Sequence, residues 1–194
     1  MPETIDLSSG TLESPSGAFA IVVSRFNDLI TGNLLAGALH AFEAKGVRAD
    51  RRVRVIWVPG GFELPLAAQR AAASGYYKAV VALGCVIRGD TPHFDYVAGE
   101  ASRGLMAAQL RTGIPIAFGL ITTDTLEQAV CRSSIESDVL DAAVRGPVAH
   151  DAASSLPELL RTHSNKGAES VMAALEMAAV MDAMSAVTPR SAGF

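Results

Sequence analysis

Short β-rich apolar runs alternate along this chain with longer stretches whose apolar positions recur at helical spacing. The first run, 19–23, predicts a strand, and 29–45 predicts a helix with Leu34, Leu35, Ala38, Leu39 and Phe42 on one face and Gly46 as its stop. The pattern repeats as strand 53–58 and helix 62–73, strand 79–83 and helix 95–111, then strand 115–120 and helix 124–132. Asp124 and Glu127 have the spacing of a capping box at the start of that last helix. Ala168, Val171, Met172, Leu175, Ala178, Ala179 and Met181 mark one more amphipathic helix over 165–184. Such alternation specifies an α/β protein, because right-handed crossovers leave few arrangements other than a parallel sheet covered on both faces. The expected architecture is a flavodoxin-like three-layer sandwich with a four-stranded parallel sheet. One domain is expected over 1–194, with a polar N-terminal arm at 1–17 and a flexible tail at 187–194. Residues 133–164 do not fit the alternation and predict an insertion holding one or two short helices, since a compact domain rarely needs so long a loop.

Composition narrows the class of partner. The 194 residues carry 16 Lys and Arg against 20 Asp and Glu, a net charge of −4, and 49% are hydrophobic. That excludes a disordered chain, which could not offset its conformational entropy by burial. The lack of a basic run argues against a nucleic-acid surface, and no apolar run is long enough to span a bilayer. The N-terminal segment lacks the basic-then-apolar order of a signal peptide, so a cytoplasmic location is expected. Cys85 and Cys131, the two cysteines, sit in apolar stretches and form no zinc-ligand cluster. Neither a metal nor a cofactor is expected, and small molecules are the expected partners.

In open α/β sheets ligands bind outside the carboxyl ends of the strands, which directs attention to four junctions. They read Ser24-Arg25-Phe26-Asn27, Pro59-Gly60-Gly61-Phe62-Glu63, Arg88-Gly89-Asp90-Thr91-Pro92-His93 and Thr122-Thr123-Asp124. The first has no glycine, so it cannot make the tight turn of a dinucleotide site, and no P-loop occurs. Each residue also has a purely structural reading. Phe26 could be a core aromatic or a platform for a flat ring; Gly60-Gly61 could be only a turn; Glu63 could serve the helix dipole. His93 is either a helix cap or a proton carrier near neutrality. Cys85 reads as inert packing. Lys166, a cation in the first turn of a helix, opposes the dipole and calls for an anion; with Arg132 it would make a phosphate site, or else it is a solvated lysine.

These junctions resemble the lumazine synthase family. The matching segments are Arg25-Phe26-Asn27, PGGFELP at 59–65, ALGCVIRGDTPHFDYV at 82–97, PIAFGLITTDTLEQA at 115–129, and NKGAE followed by ALEMA within 165–178. The resemblance covers 19–132 and resumes at Asn165. It implies condensation of 5-amino-6-(D-ribitylamino)uracil with 3,4-dihydroxy-2-butanone 4-phosphate to 6,7-dimethyl-8-ribityllumazine, the penultimate step of riboflavin biosynthesis, without cofactor or metal. Carried over position by position, it sets Phe26 against the pyrimidine ring, Phe62 and Glu63 at the ribityl chain, and Val86 and Ile87 along the ring pocket, with Asn27 and Gly61 also among the substrate-binding residues. It sets Gly89, Asp90 and Thr91 on the phosphate side and His93 as the proton carrier. Arg132 and Lys166 take the phosphate-binding positions, and Phe118 is an aromatic delivered, like them, to a neighbouring subunit's pocket. A homo-oligomer, expected to be a pentamer with sites between subunits, follows. The departure is the insertion, since members usually join the Arg to the Asn-Lys-Gly by a short turn whereas 32 residues intervene here. That bulk is expected to prevent closure of a shell of pentamers. The competing readings are a non-catalytic flavin- or lumazine-binding or assembly homologue, and an unrelated flavodoxin-like binding domain.

Overall fold

Alternate residues of a strand point to opposite faces of a sheet, and the first strand shows what that requires when both faces are covered. In the computed structural model, which describes residues 17–146 and 157–186, β1 (Ala18–Ser24) is buried along nearly its whole length. Phe19, Ile21 and Val23 enter one core cluster, while Ala20 and Val22 enter another on the opposite face. Both faces of the sheet are therefore dry, which is why the run reads as continuously apolar instead of alternating.

After β1 come α1 (Asp28–Ala44), a single turn α2 (Ala49–Arg52), β2 (Val53–Val58), a 3-10 turn (Gly61–Glu63) and α3 (Leu64–Ala72). They are followed by β3 (Tyr77–Ile87), α4 (His93–Thr112), β4 (Ile116–Thr123), α5 (Leu126–Cys131), α6 (Ser137–Arg145), α7 (Glu158–Thr162) and α8 (Lys166–Ala186). The four strands are parallel in the order β2-β1-β3-β4. Helices α1 and α8 add Leu34, Phe42, Val171 and Leu175 to the cluster around Phe19 of β1; α3 and α4 add Leu64, Ala68 and Leu105 to the other, which Leu120 of β4 joins. The expected three-layer α/β sandwich is thus observed.

Several boundaries moved. β3 runs to Ile87 rather than ending at Leu83, because β4 continues beside it and pairs Cys85, Val86 and Ile87 with Ile121, Thr122 and Thr123. Helix α4 begins at His93, after Pro92, so His93 lies inside the first turn and does not cap it. The Asp124/Glu127 capping box is displaced by one residue: Thr125 is the N-cap, its Oγ1 accepts from the Gln128 amide at 3.2 Å, and Gln128 Oε1 accepts from the Asp124 amide at 2.8 Å. Backbone and Thr125 hydrogen bonds hold the Glu127 carboxyl below its ordinary pKa.

The insertion leaves and rejoins the body at one point. Ser133 and Asn165 form an antiparallel bridge, in which the Lys166 amide donates to the Arg132 carbonyl at 3.0 Å, and the Ser134 amide donates to the Ser164 carbonyl at 3.0 Å. Buried Asn165 secures this seam: Nδ2 donates to the carbonyls of Asn33 and Ser134, and Oδ1 accepts from the Ala168 amide, capping α8. Gly37 makes room for its side chain, and Gly167 lets α8 approach α1, since a Cβ there would collide with the Leu34 carbonyl. Within the insertion, α6 packs on α1 and α8 through Val139 and Leu140, and His40 Nε2 on α1 lies 3.4 Å from Asp141 Oδ1. Of the insertion's apolar positions, expected to pack on the domain or on an adjacent subunit, Ile135 is 54% exposed in the chain. Leu156 lies outside the described residues.

Candidate active site

The order β2-β1-β3-β4 reverses direction between β1 and β3, the place where an open sheet leaves a crevice at its carboxyl edge. A cavity of about 660 Å³ occupies it, lined by Phe26 from the β1 exit, residues 59–63 from the β2 exit, and Cys85, Val86, Ile87, Gly89, Thr91 and His93 from the β3 exit. Phe94, Tyr96 and Val97 from α4 complete the wall. The walls are mostly apolar with a few polar groups at the rim, as small-molecule sites are.

Local backbone chemistry explains how the junctions converge. The β1–β2 pairing extends past the strand ends, with the Arg25 amide donating to the Val58 carbonyl at 2.9 Å and the Phe26 amide to the Pro59 carbonyl at 3.2 Å. That brings Phe26 beside the Gly60-Gly61 turn, and its ring is 70% exposed at the cavity rather than part of the core. Asn27 adopts the left-handed region at φ 60°, ψ 50°, which asparagine tolerates better than most residues. Its Nδ2 donates to the Cys85 carbonyl at 3.0 Å, bracing the β1 exit against β3. The Asn27 side chain, expected among the substrate-binding residues, holds the cavity floor through this bond. Glu63 curls over the turn, so that a Cβ on Gly60 would lie 3.2 Å from Oε2. Burial pushes the Cys85 thiol up to about 11, as an inert wall residue requires.

His93 is exposed at the mouth, in the first turn of α4, with Gly89, Asp90 and Thr91 in the loop before it. Tyr96 and Val97, three and four residues beyond His93, fall on the same helix face, a helical spacing that sequence reading could have used to include them.

Phe118, Arg132 and Lys166 do not join this cavity. They line a second cleft of about 520 Å³ with residues 119–123 and Gln128, along the edge strand β4. Phe118 has the strand parity of buried Ile116 and Leu120, but on an open edge it is half exposed. Arg132 Nη1 donates to the Thr162 carbonyl at 3.3 Å, and Lys166 Nζ lies 2.6 Å from Glu169 Oε2. The anion that Lys166 calls for is therefore met one turn along its own helix. Gln128, four residues before Arg132, was the member of this cleft that its spacing on α5 could have identified. Among the described residues, no helix is long and apolar enough to cross a membrane.

Residues 16–182 match the family described as 6,7-dimethyl-8-ribityllumazine synthase. A protein of that name from Edwardsiella ictaluri is 42% identical over 91% of this chain and 97% of its own length. Another from Synechocystis is 42% identical over 88% of this chain and 89% of its own. With the parallel sheet, the switch-point cavity and a match spanning nearly all the described residues, the chain belongs to the 6,7-dimethyl-8-ribityllumazine synthase family.

Proposed function

We propose that the protein condenses 5-amino-6-(D-ribitylamino)uracil with 3,4-dihydroxy-2-butanone 4-phosphate, releasing 6,7-dimethyl-8-ribityllumazine and phosphate, as a transferase of riboflavin biosynthesis in the cytoplasm. One observation carries the assignment of roles: a single chain presents an aromatic-rimmed cavity with an imidazole at its mouth, and a separate cleft with two cations on an open sheet edge. The two are complementary halves. An edge strand with Phe118 half exposed beside it is a surface that a second copy can cover. In a ring of copies, proposed here as a pentamer, the Phe118, Arg132 and Lys166 cleft of one subunit completes the cavity of the next.

The chemistry asks for positioning more than for reactive side chains. The substrate amine is itself the nucleophile on the butanone carbonyl, so no protein nucleophile is needed, and holding both reactants together supplies much of the acceleration. Phe26 stacks on the pyrimidine, Val86 and Ile87 enclose it, and Gly61, Phe62 and Glu63 receive the ribityl chain. Asn27 contributes through the brace it makes with β3. His93 transfers protons as the imine forms and phosphate departs β to it. Gly89, Asp90 and Thr91 flank that phosphate, while Arg132 and Lys166 stabilise its charge.

Mixing the two substrates with purified protein, with a chelator and no nucleotide, should yield the fluorescent lumazine. Activity lost on chelation and restored by a divalent ion would overturn the cofactor-free mechanism. Native mass analysis of the same sample should give a pentamer or a small multiple, because 32 inserted residues at the base of the cationic cleft would stand between pentamers. A uniform particle of about sixty subunits, a closed shell of symmetric rings, would refute that assembly.

A further inference from the structure

Arg88 is the first residue past β3, and its backbone amide still donates to the Thr123 carbonyl at 2.9 Å, extending the β3–β4 ladder by one rung. Its side chain turns toward α4. Nη1 and Nη2 lie 3.4 and 3.3 Å from the two oxygens of Asp95, and Nε lies 2.9 Å from Asp124 Oδ1. The guanidinium also stands over the Phe94 ring, 4.2 Å from its centroid. One planar group is thus fixed by two carboxylates and an aromatic face, a set of partners that a lysine ammonium cannot reproduce.

The partners are Phe94 and Asp95, the two residues directly after His93, and Asp124, at the exit of β4. Arg88 therefore closes the 89–92 loop at both ends, by its backbone at β3 and by its side chain at the first turn of α4. All three charged side chains are about half exposed or more. Exposed ion pairs contribute little to global stability, so the arrangement acts on geometry. Its charge count matters too, because one cation stands between two carboxylates beside a loop assigned to the phosphate side.

We infer that Arg88 is a positioning residue: its guanidinium locks the first turn of α4 to the exits of β3 and β4, setting where His93 stands and screening Asp95 and Asp124 from the phosphate. The inference rests on the role given to His93 above.

The test compares Arg88→Gln and Arg88→Lys with wild type in the full-length protein, measuring kcat, KM for each substrate, thermal midpoint and amide hydrogen exchange over 89–98. Arg88→Gln should lower kcat by about 10- to 100-fold, the scale of a displaced reacting group. It should raise KM for the butanone phosphate more than for the uracil, because two carboxylates then face the loop unscreened. Arg88→Lys should recover most of that KM effect but little of kcat, since it returns the charge without the fork. Both variants should exchange faster over 89–95, with midpoints within about 4 °C of wild type. Wild-type kcat in Arg88→Gln, or full kcat rescue by lysine, would overturn the inference. So would equal KM losses for both substrates accompanied by a large fall in midpoint. If wild type makes no lumazine, the proposed activity fails, and hydrogen exchange alone decides Arg88: faster exchange over 89–95 in Arg88→Gln supports the lock, and unchanged protection overturns it.

Discussion

The cavity at the switch point and the cleft on the β4 edge are built in different ways. The first gathers residues that directly follow strands, and the parallel topology alone carries those junctions to one edge of the sheet. The second joins Phe118 and Arg132 to Lys166, which lies beyond an insertion of 32 residues. What restores that proximity is the bridge of Ser133 to Asn165 and the amide network of Asn165. The lesson is that a long insertion is tolerated when its ends are tied: the entropy of closing a loop grows only logarithmically with length, and here closure is secured by hydrogen bonds outside the insertion's interior.

The largest effect expected from breaking the first region alone is that of His93→Ala. Turnover should fall by about 10- to 10⁴-fold, leaving what proximity supplies. Product fluorescence at saturating substrate checks this, and turnover equal to wild type would reduce His93 to an ordinary first-turn residue of α4. Next come Arg132→Ala and Lys166→Ala, which strike only the second region. Each should weaken inorganic phosphate by roughly 10- to 100-fold, the worth of a charge-assisted hydrogen bond, with a smaller change for the uracil. Titration calorimetry with each ligand separates the two, and unchanged phosphate affinity would mean that the subsite lies elsewhere. The Lys166 variant sharpens this further, since Glu169 loses its partner at the same moment.

A smaller effect should follow from Gly167→Ala, which places a methyl against the Leu34 carbonyl where α8 crosses α1. The expected cost is about 1–3 kcal/mol of unfolding free energy, read as a lower urea midpoint, with phosphate affinity reduced as the first turn of α8 shifts. An unchanged midpoint would show that the helices separate at no cost. The smallest functional effect concerns the two cysteines, one beside each region. Half-buried Cys131 should alkylate in the native state, while buried Cys85 should do so only on unfolding. The Cys85 thiol is raised from its ordinary 9.0 to about 11, so its contribution is fully present below pH 9. As pH climbs from 9 to 11 the unfolded chain ionises first and stability declines, a slope that Cys85→Ala should remove. Equal alkylation rates for the two thiols would contradict the burial difference.

The two regions also differed in how legible they were. Phe26, Gly61, Phe62, Glu63 and His93 were identifiable as junction residues because strand ends are marked by a change from apolar periodicity to turn residues, whereas Val86 came from the family resemblance. Phe94, Tyr96 and Val97 were overlooked because they belong to the helix that follows, where the apolar pattern serves core and cavity at once. The brace made by Asn27 was not legible for a different reason. Its amide bonds a carbonyl 58 residues away, which no local pattern encodes. The ion pair of Lys166 with Glu169 also went unread, although its partners stand three residues apart in the sequence.

The amino-acid sequence by itself determined the alternation of elements, the parallel sheet, the two buried faces and the family, because periodicity, capping and turn chemistry act over a few residues and crossover handedness leaves little choice. Only the tertiary structure decided which side chains line each of the two clefts, among them Tyr96, Val97 and Gln128. It alone showed that a single hydrogen-bonded seam holds the insertion at its root, and that Arg88 grips the turn carrying His93. These depend on hydrogen bonds and ion pairs between residues distant along the chain, whose pairing is chosen by the packed geometry and not by local sequence.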